Sequence, residues 1–475
     1  MNKKLLCLFM TIVLAFLNSQ IVWGTATVNL PSAQSDGWPP PEKIFETQGV
    51  VVEAGMAALV DRQQQLHLFF THAESGKSPK VIEHMSWSLE TGWTSPNDIF
   101  ITGEEVVAPI SGVIDIHNIV HLIWYGIGGL KYSKAPASMA KLATSWSEPI
   151  TIANSTYYGA AIAYDEKKDM LYVVYSDAAN EGTLKIISSP AQGPQWSFPS
   201  HVLSILPGTV PSRLTMAVDN GGRIHVTWTT VQLPKGWPPI GVYYIHSLND
   251  GGWSEPKQVD DEFHTELGVA TVGETNVHLV WRSNVGRDGT YHQFSPDGGD
   301  TWLPFDRYPD GGGQSGLPSF GVDSLGRLHY VIGPGKYTFW DGQQLMPYFW
   351  VSKHLQDDGG EPERARLAIT NGNRLHIFVE DQFKSIWHYM KILDAPFLEG
   401  ESSRDSNSQK IQEEKKTHYQ SEQKDAKRNK EEDVKHRFPI NTERTRIKST
   451  SVLLMISIVP VLLWLIMVIF LQVRR

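Results

Sequence analysis

Between residues 56 and 379 the chain alternates short apolar runs with polar turns, and the alternation itself repeats. Each copy reads as an apolar run, a turn, and a second apolar run with a histidine near its start. The copies occupy 56–70, 110–124, 160–175, 214–228, 268–281, 319–332 and 366–379. The marker position holds His67, His121, Tyr172, His225, His278, His329 and His376, in steps of 54, 51, 53, 53, 51 and 47 residues. Short alternating runs bounded by turn residues predict strands. Five of the first runs end in aspartate, at Asp61, Asp115, Asp165, Asp219 and Asp323. Turns such as Asn220-Gly221-Gly222-Arg223 and Asn371-Gly372-Asn373-Arg374 join the two runs as tight hairpins. A histidine at one equivalent place in six copies is read as part of the fold rather than as a metal ligand, and the aspartates as turn formers.

A second mark closes each copy, a Trp followed within three residues by Pro: Trp93/Pro96, Trp146/Pro149, Trp196/Pro199, Trp253/Pro256 and Trp302/Pro304. The sixth copy is irregular, with Trp340 or Trp350 to serve it. The seventh ends near Leu393 without the mark, and the missing piece stands at the other end of the chain, in Asp36-Gly37-Trp38, Pro41 and Ile44. A period near 50 residues with four strands per unit predicts an all-β fold, a β-propeller of about seven four-stranded blades, with six possible. Its ring is closed by an N-terminal strand that completes the last blade and removes an open sheet edge.

The ends of the chain carry different signals. Lys3 and Lys4, the apolar run from Leu5 to Leu17 and the small residues Gly24 and Ala26 predict a signal peptide over 1–26. The only cysteine, Cys7, lies inside it, so a cleaved chain has no disulfide to hold it. The apolar stretch 451–472, interrupted by Pro460, predicts one transmembrane helix, followed by a cytoplasmic tail at 473–475. The propeller is thereby expected over 27–397, outside the cell membrane and held by this single pass. Residues 398–450 are rich in charge and poor in large apolar side chains, which predicts a disordered stalk. Outside the stalk, the leader's lysines and the tail's arginines, 25 basic residues face 40 acidic ones. That balance excludes nucleic acid as a partner, because a nucleic-acid site needs a basic face.

Ser295-Pro296-Asp297-Gly298-Gly299-Asp300-Thr301-Trp302 matches the Asp-box pattern S-x-D-x-G-x-T-W through Ser295, Asp297, Gly299, Thr301 and Trp302, and Ser247–Trp253 is a looser copy. On these residues the chain resembles the sialidase-like, or BNR-repeat, propeller superfamily over about residues 36–395. The resemblance implies that the Asp-box turns between the third and fourth strands, on the face away from the active site. It also implies what a sialidase would need: three arginines for a substrate carboxylate, a Tyr nucleophile with its Glu, and an Asp acid. The family's Phe/Tyr-Arg-Ile-Pro motif is missing, and residues 50–57 contain no arginine. Arg213, Arg282 and Arg366, with Glu105, are the candidates for a catalytic set that remains incomplete.

Binding residues on a rigid scaffold concentrate in its loops. The loops joining strands two to three and four to one offer Tyr157, Tyr158, Trp237, Glu262, His264 and Asp288 as ligand-binding candidates. Asn154-Ser155-Thr156 is an N-glycosylation sequon in one of these loops. The sequence needs no cofactor and presents no metal motif. The reading it favours is a non-catalytic recognition propeller for a glycan or protein ligand. A sialidase-like glycosidase and an envelope scaffold are the alternatives.

Overall fold

The computed structural model describes residues 38–46, 55–72, 81–101, 107–126, 128–154, 159–177, 183–193, 195–204, 208–232, 239–260, 264–283, 289–308, 316–357 and 360–401. The chain divides into two units, Met1–Ser406 and Asn407–Arg475, and every described residue belongs to the first. The predicted signal peptide, most of the stalk and the transmembrane span lie outside the described residues. Among those described, no helix is long and apolar enough to cross a membrane.

The repeat folds into seven antiparallel sheets. Blade 1 runs Met56–Val60, Leu66–His72 and Val81–Ser88, and its outer edge is split into Gly92–Trp93 and Asn97–Ile101. Blades 2 to 6 each use four consecutive strands, starting at Val107, Ala160, Thr209, His264 and Ser319. Blade 7 takes Pro362–Thr370, Arg374–Asp381 and Ile386–Ile392, and its fourth strand is Glu42–Phe45 from the other end of the chain. That strand pairs antiparallel with Ile386–Ile392 through Glu42 opposite His388 and Lys43 opposite Trp387. The N-terminal closure expected from the displaced Trp38 is therefore present, and no first-to-last edge is left open.

The repeated Asp and His form a brace inside blades 1, 2, 4 and 6. Asp219 ends the first strand, and its Oδ1 accepts the Arg223 amide at 2.9 Å, which shapes the hairpin. Its Oδ2 lies 3.2 Å from His225 Nε2, and His225 Nδ1 lies 2.8 Å from the hydroxyl of Tyr244 on the third strand. Because the carboxylate fixes the ring proton on Nε2, Nδ1 is the acceptor and the tyrosine O–H donates. Blades 2 and 6 repeat the arrangement with Asp115–His121–Tyr132 and Asp323–His329–Tyr337. In blades 1, 5 and 7 a second histidine replaces the tyrosine, giving His67–His84, His278–His292 and His376–His388, each 3.0 Å apart. These rings are buried, so the histidines are structural, in accord with their repetition.

The Trp of one blade then packs on the third-strand ring of the blade before it. Trp196 meets Tyr132 at 5.0 Å, Trp302 meets Tyr244 at 5.0 Å and Trp93 meets His388 at 5.2 Å. Blade 6 uses Trp340, 5.0 Å from His292, and Trp38 serves blade 7, 5.5 Å from Tyr337. Trp146 uses Phe69 and Phe100 of blade 1 instead. Each such pair adds roughly 0.5–1.5 kcal/mol beyond the area it buries. The blades thus cohere through aromatic contacts at each of these interfaces, and the junction of blades 3 and 4 differs. Blade 3 has Tyr172 at the marker position and Ile186 at the third-strand position.

The first strands surround the axis, where the blades approach most closely, and so carry small residues. A Cβ on Gly112 would meet Leu122 Cδ2 at 2.5 Å, and one on Gly321 would meet Leu367 Cδ2 at 2.6 Å. After blade 7 the chain turns back across the face that carries the first hairpins. Asp394 and Pro396 accept from Arg327 and Ser324, Leu398 pairs with Asn371 at 2.8 and 2.9 Å, and the Glu401 amide donates to Arg62 O at 3.0 Å. The folded chain therefore continues to Glu401, past the boundary at 397 drawn from composition.

Candidate functional site

The two faces of the ring differ in how they use charge. The hairpin face carries the repeated Asp–His braces and the Asp-box. Ser295 and Asp297 bond at 2.8 Å, the Gly299 amide donates to Ser295 Oγ at 2.9 Å, and Trp302 Nε1 donates to Gly299 O at 3.0 Å. This turn joins the third and fourth strands of blade 5, as the resemblance implied. Thr301 closes it by donating its amide to Asp297 Oδ1 at 2.8 Å. Its role is therefore structural.

The opposite, loop face is where second strands end and third strands begin. Four residues beyond each marker the chain places Thr71, Tyr125, Ser176, Thr229, Arg282, Gly333 and Glu380. The side chains at this position are buried, yet their chemistry differs from blade to blade. Arg282 is 0% exposed and Glu380 is 2% exposed, and these two charges occupy equivalent places on blades 5 and 7. Burial pushes the Glu380 carboxyl up, while Lys384 Nζ at 2.9 Å opposes the shift. Lys384 also bonds Glu363. On blade 1, burial and the nearby Asp98 push Glu83 up to about 7. On blade 6, Lys336 is buried with its ammonium 5.3 Å from the Trp350 ring. Buried charges are rare unless function or a partner retains them. Glu83, Lys336 and Glu380 are not among the residues expected from the sequence. Aligning the repeats on their marker would have shown the isolated charges at the Arg282 and Glu380 position.

Three predicted arginines fall into three different settings. Arg366 lies in the first strand of blade 7 and lines an axial cavity of about 550 Å³, together with Leu59, Ser111, Thr215 and Ser319. Its Nε donates to Met56 O at 2.8 Å and its Nη1 to Ala365 O at 2.8 Å. Its Nε thus ties blade 7 to blade 1 across the closure, while Nη1 is held by the backbone of its own strand. Arg282 is sealed between blades at the end of a second strand. Arg213 sits in a bulge of the first strand of blade 4, half-buried, with φ +51°. A left-handed non-glycine residue at a bulge re-aims its side chain at the cost of local strain, a pattern that clusters at functional sites. First strands of blades 2, 5 and 7 also bulge near this face.

His264 opens the first strand of blade 5 opposite Ser283. Glu105, Tyr157, Tyr158, Trp237, Glu262 and Asp288 lie outside the described residues. Among the described residues no group of three or more His, Cys, Asp or Glu is placed to hold a metal ion.

The ring thus has seven blades, and blade 5 carries an Asp-box at the turn between its third and fourth strands. In fold, the chain is a seven-bladed β-propeller. No family model and no curated protein matches its sequence. Solved structures do match. A protein of unknown function from Dyadobacter fermentans has 12% identity, with 74% of this chain and all of that one covered, at a TM-score of 0.47. A Hadza microbial sialidase has 14% identity, 72% and 66% coverage and a TM-score of 0.41. An ulvan lyase, described as a new family of polysaccharide lyase, has 12% identity, 74% and 96% coverage and a TM-score of 0.49. Likeness at these identities is one of fold, and their chemistry does not pass to this chain.

Proposed function

We propose that this chain is a membrane-anchored recognition propeller that captures a glycan or protein ligand on its loop face without turning it over. The observation that carries the proposal is the state of the arginines. A carboxylate-gripping triad needs guanidinium forks free to face one cavity. Arg366 instead donates to the backbone of blades 1 and 7, and Arg282 is sealed between blades. The loop face nevertheless bears buried charges that differ between blades, which is the signature of a tuned surface on a repeated scaffold. The signal peptide and the span 451–472 support display outside the cell membrane. The return of the chain to Glu401 on the hairpin face supports a loop face left open to ligand.

The test is hydrolysis of a fluorogenic sialoside by the purified full-length chain, beside an active sialidase. No turnover from acid to neutral pH is expected. Turnover that disappears in Arg213→Ala and Arg282→Lys variants would make the chain a glycosidase instead. The strained backbone at Arg213 is what favours that second reading. For the binding reading, replacing Tyr157, Tyr158 and Trp237 with Ala should abolish capture of ligands found by glycan and protein screens. Undiminished capture would remove these loops from the site.

A further inference from the structure

One interface of the ring departs from the rest, and a cavity lies there. At the junction of blades 3 and 4 the marker histidine is Tyr172 and the third-strand ring is Ile186. Asp165, deprived of its histidine, pairs with Lys168 Nζ at 2.9 Å instead. Trp253 of blade 4 faces Ile186 at the place where its counterparts on blades 3, 5, 6 and 7 meet the rings of Tyr132, Tyr244, His292 and Tyr337. A cavity of about 470 Å³ opens on the hairpin face at this junction, lined by Tyr172, Ile186, Ser188, Asn249 and Trp253 among others. This volume lies within the range of roughly 300–1,000 Å³ typical of small-molecule sites.

We infer that this inter-blade cavity is a binding subsite for one neutral sugar residue, packed on the half-buried Trp253 ring. The charge on its wall is already matched. Lys168 holds Asp165 and donates to Gly222 O at 3.0 Å. Arg223 donates to Gly298 O at 2.8 Å and pairs with Asp300 at 3.2 Å. No net charge is left to select an anion or a cation. What the wall offers is neutral hydrogen-bonding capacity: the Tyr172 hydroxyl, the Ser188 hydroxyl and the Asn249 amide, beside an aromatic face. Groups that both donate and accept, set next to an apolar ring, match a molecule with hydroxyls on its rim and C–H groups on its face. A purely apolar ligand would leave those groups unpaired. The subsite is on the face opposite to the proposed loop-face site, so it stands or falls independently of that reading.

The repeat itself supplies the control. The double variant Tyr172→His, Ile186→Tyr restores the Asp–His–Tyr brace of blades 2, 4 and 6 and fills the cavity with the missing ring. Saturation-transfer NMR on the full-length chain, with methyl glycosides of the neutral hexoses as probes, should show transfer to at least one sugar in the native chain. The transfer should be lost in the filled variant, which is expected to melt no lower than the native chain. Tyr172→Phe, which removes one hydroxyl and leaves the packing, should weaken the binding about two- to tenfold. Absence of transfer to every probe in the native chain would overturn the inference. So would equal transfer in the native and filled chains, because the sugar would then sit elsewhere.

Discussion

At the scale of single residues, the structure turns on a few positions where geometry leaves no alternative. Gly299 has φ +92°, and a Cβ there would stand 2.0 Å from the hydroxyl of Tyr244, the atom that also bonds His225. Gly299→Ala must therefore both strain the backbone and displace the brace of blade 4. A loss of about 2 kcal/mol or more is expected, read as a lower thermal midpoint. An unchanged midpoint would mean that the Asp-box turn is dispensable. Gly251, the corresponding glycine of the looser copy, also has positive φ but meets nothing within 4 Å. Gly251→Ala should accordingly cost only the conformational term, roughly 1 kcal/mol. The Asp-box residues were legible in the sequence because they act locally. The contact with Tyr244 was not, since it joins residues 55 positions apart across two blades.

At the scale of the element, the strand Glu42–Phe45 and the Trp38 before it complete blade 7. Trp38 is buried against Tyr337 and stacks on Phe349 at 5.7 Å. Removing residues 38–46 should expose the edge of Ile386–Ile392 and uncover this aromatic cluster. The expected result is loss of the cooperative melt and association of the truncated chain, measured by calorimetry and light scattering. A monomeric product with the native midpoint would show that the closure is ornamental. The need for this strand was visible in the sequence, because the seventh repeat lacked its Trp mark and the start of the chain held one to spare. The choice between Trp340 and Trp350 for blade 6 was not visible. Either would satisfy the spacing, and only the packing of Trp340 on His292 distinguishes them.

At the scale of the whole molecule, the ring of braces makes stability depend on pH. Burial holds His84 at about 3, His292 at about 4 and His388 at about 3, so all three are neutral in the folded chain near neutrality. In the unfolded chain a histidine titrates near 6.5. Between these values the unfolded chain binds protons that the folded chain does not, so stability falls as pH falls. The aspartates act in the same sense. Burial pushes Asp115, Asp219 and Asp323 up, but bonds from His121, His225 and His329 and from turn amides outweigh it and hold them below their ordinary value. Their contribution is present above the unfolded value near 3.9 and is lost as pH drops further. The thermal midpoint should therefore decline steadily from neutral pH to about 4.5 and steepen below that. A flat midpoint over this span would show that the histidine pairs do not stay neutral.

The sequence alone determined the class of the molecule and its periodicity. A two-residue alternation, a turn chemistry and a marker every 50 residues or so act over short distances, and they survive in the order of the residues. It also determined that the last blade must borrow a strand, since a missing piece and a surplus piece can be counted. Tertiary structure alone decided what the charged side chains do. Arg366 looks the same in sequence whether it faces a ligand or ties blade 7 to Met56. Arg282 carries no mark that it is sealed between blades. The pocket between blades 3 and 4 is likewise the product of Tyr172, Ile186 and Trp253 together. Tyr172 stood out as the one break in the histidine series, but the pocket also needs Ile186 and Trp253 beside it, and their meeting is decided only by the packing of two blades.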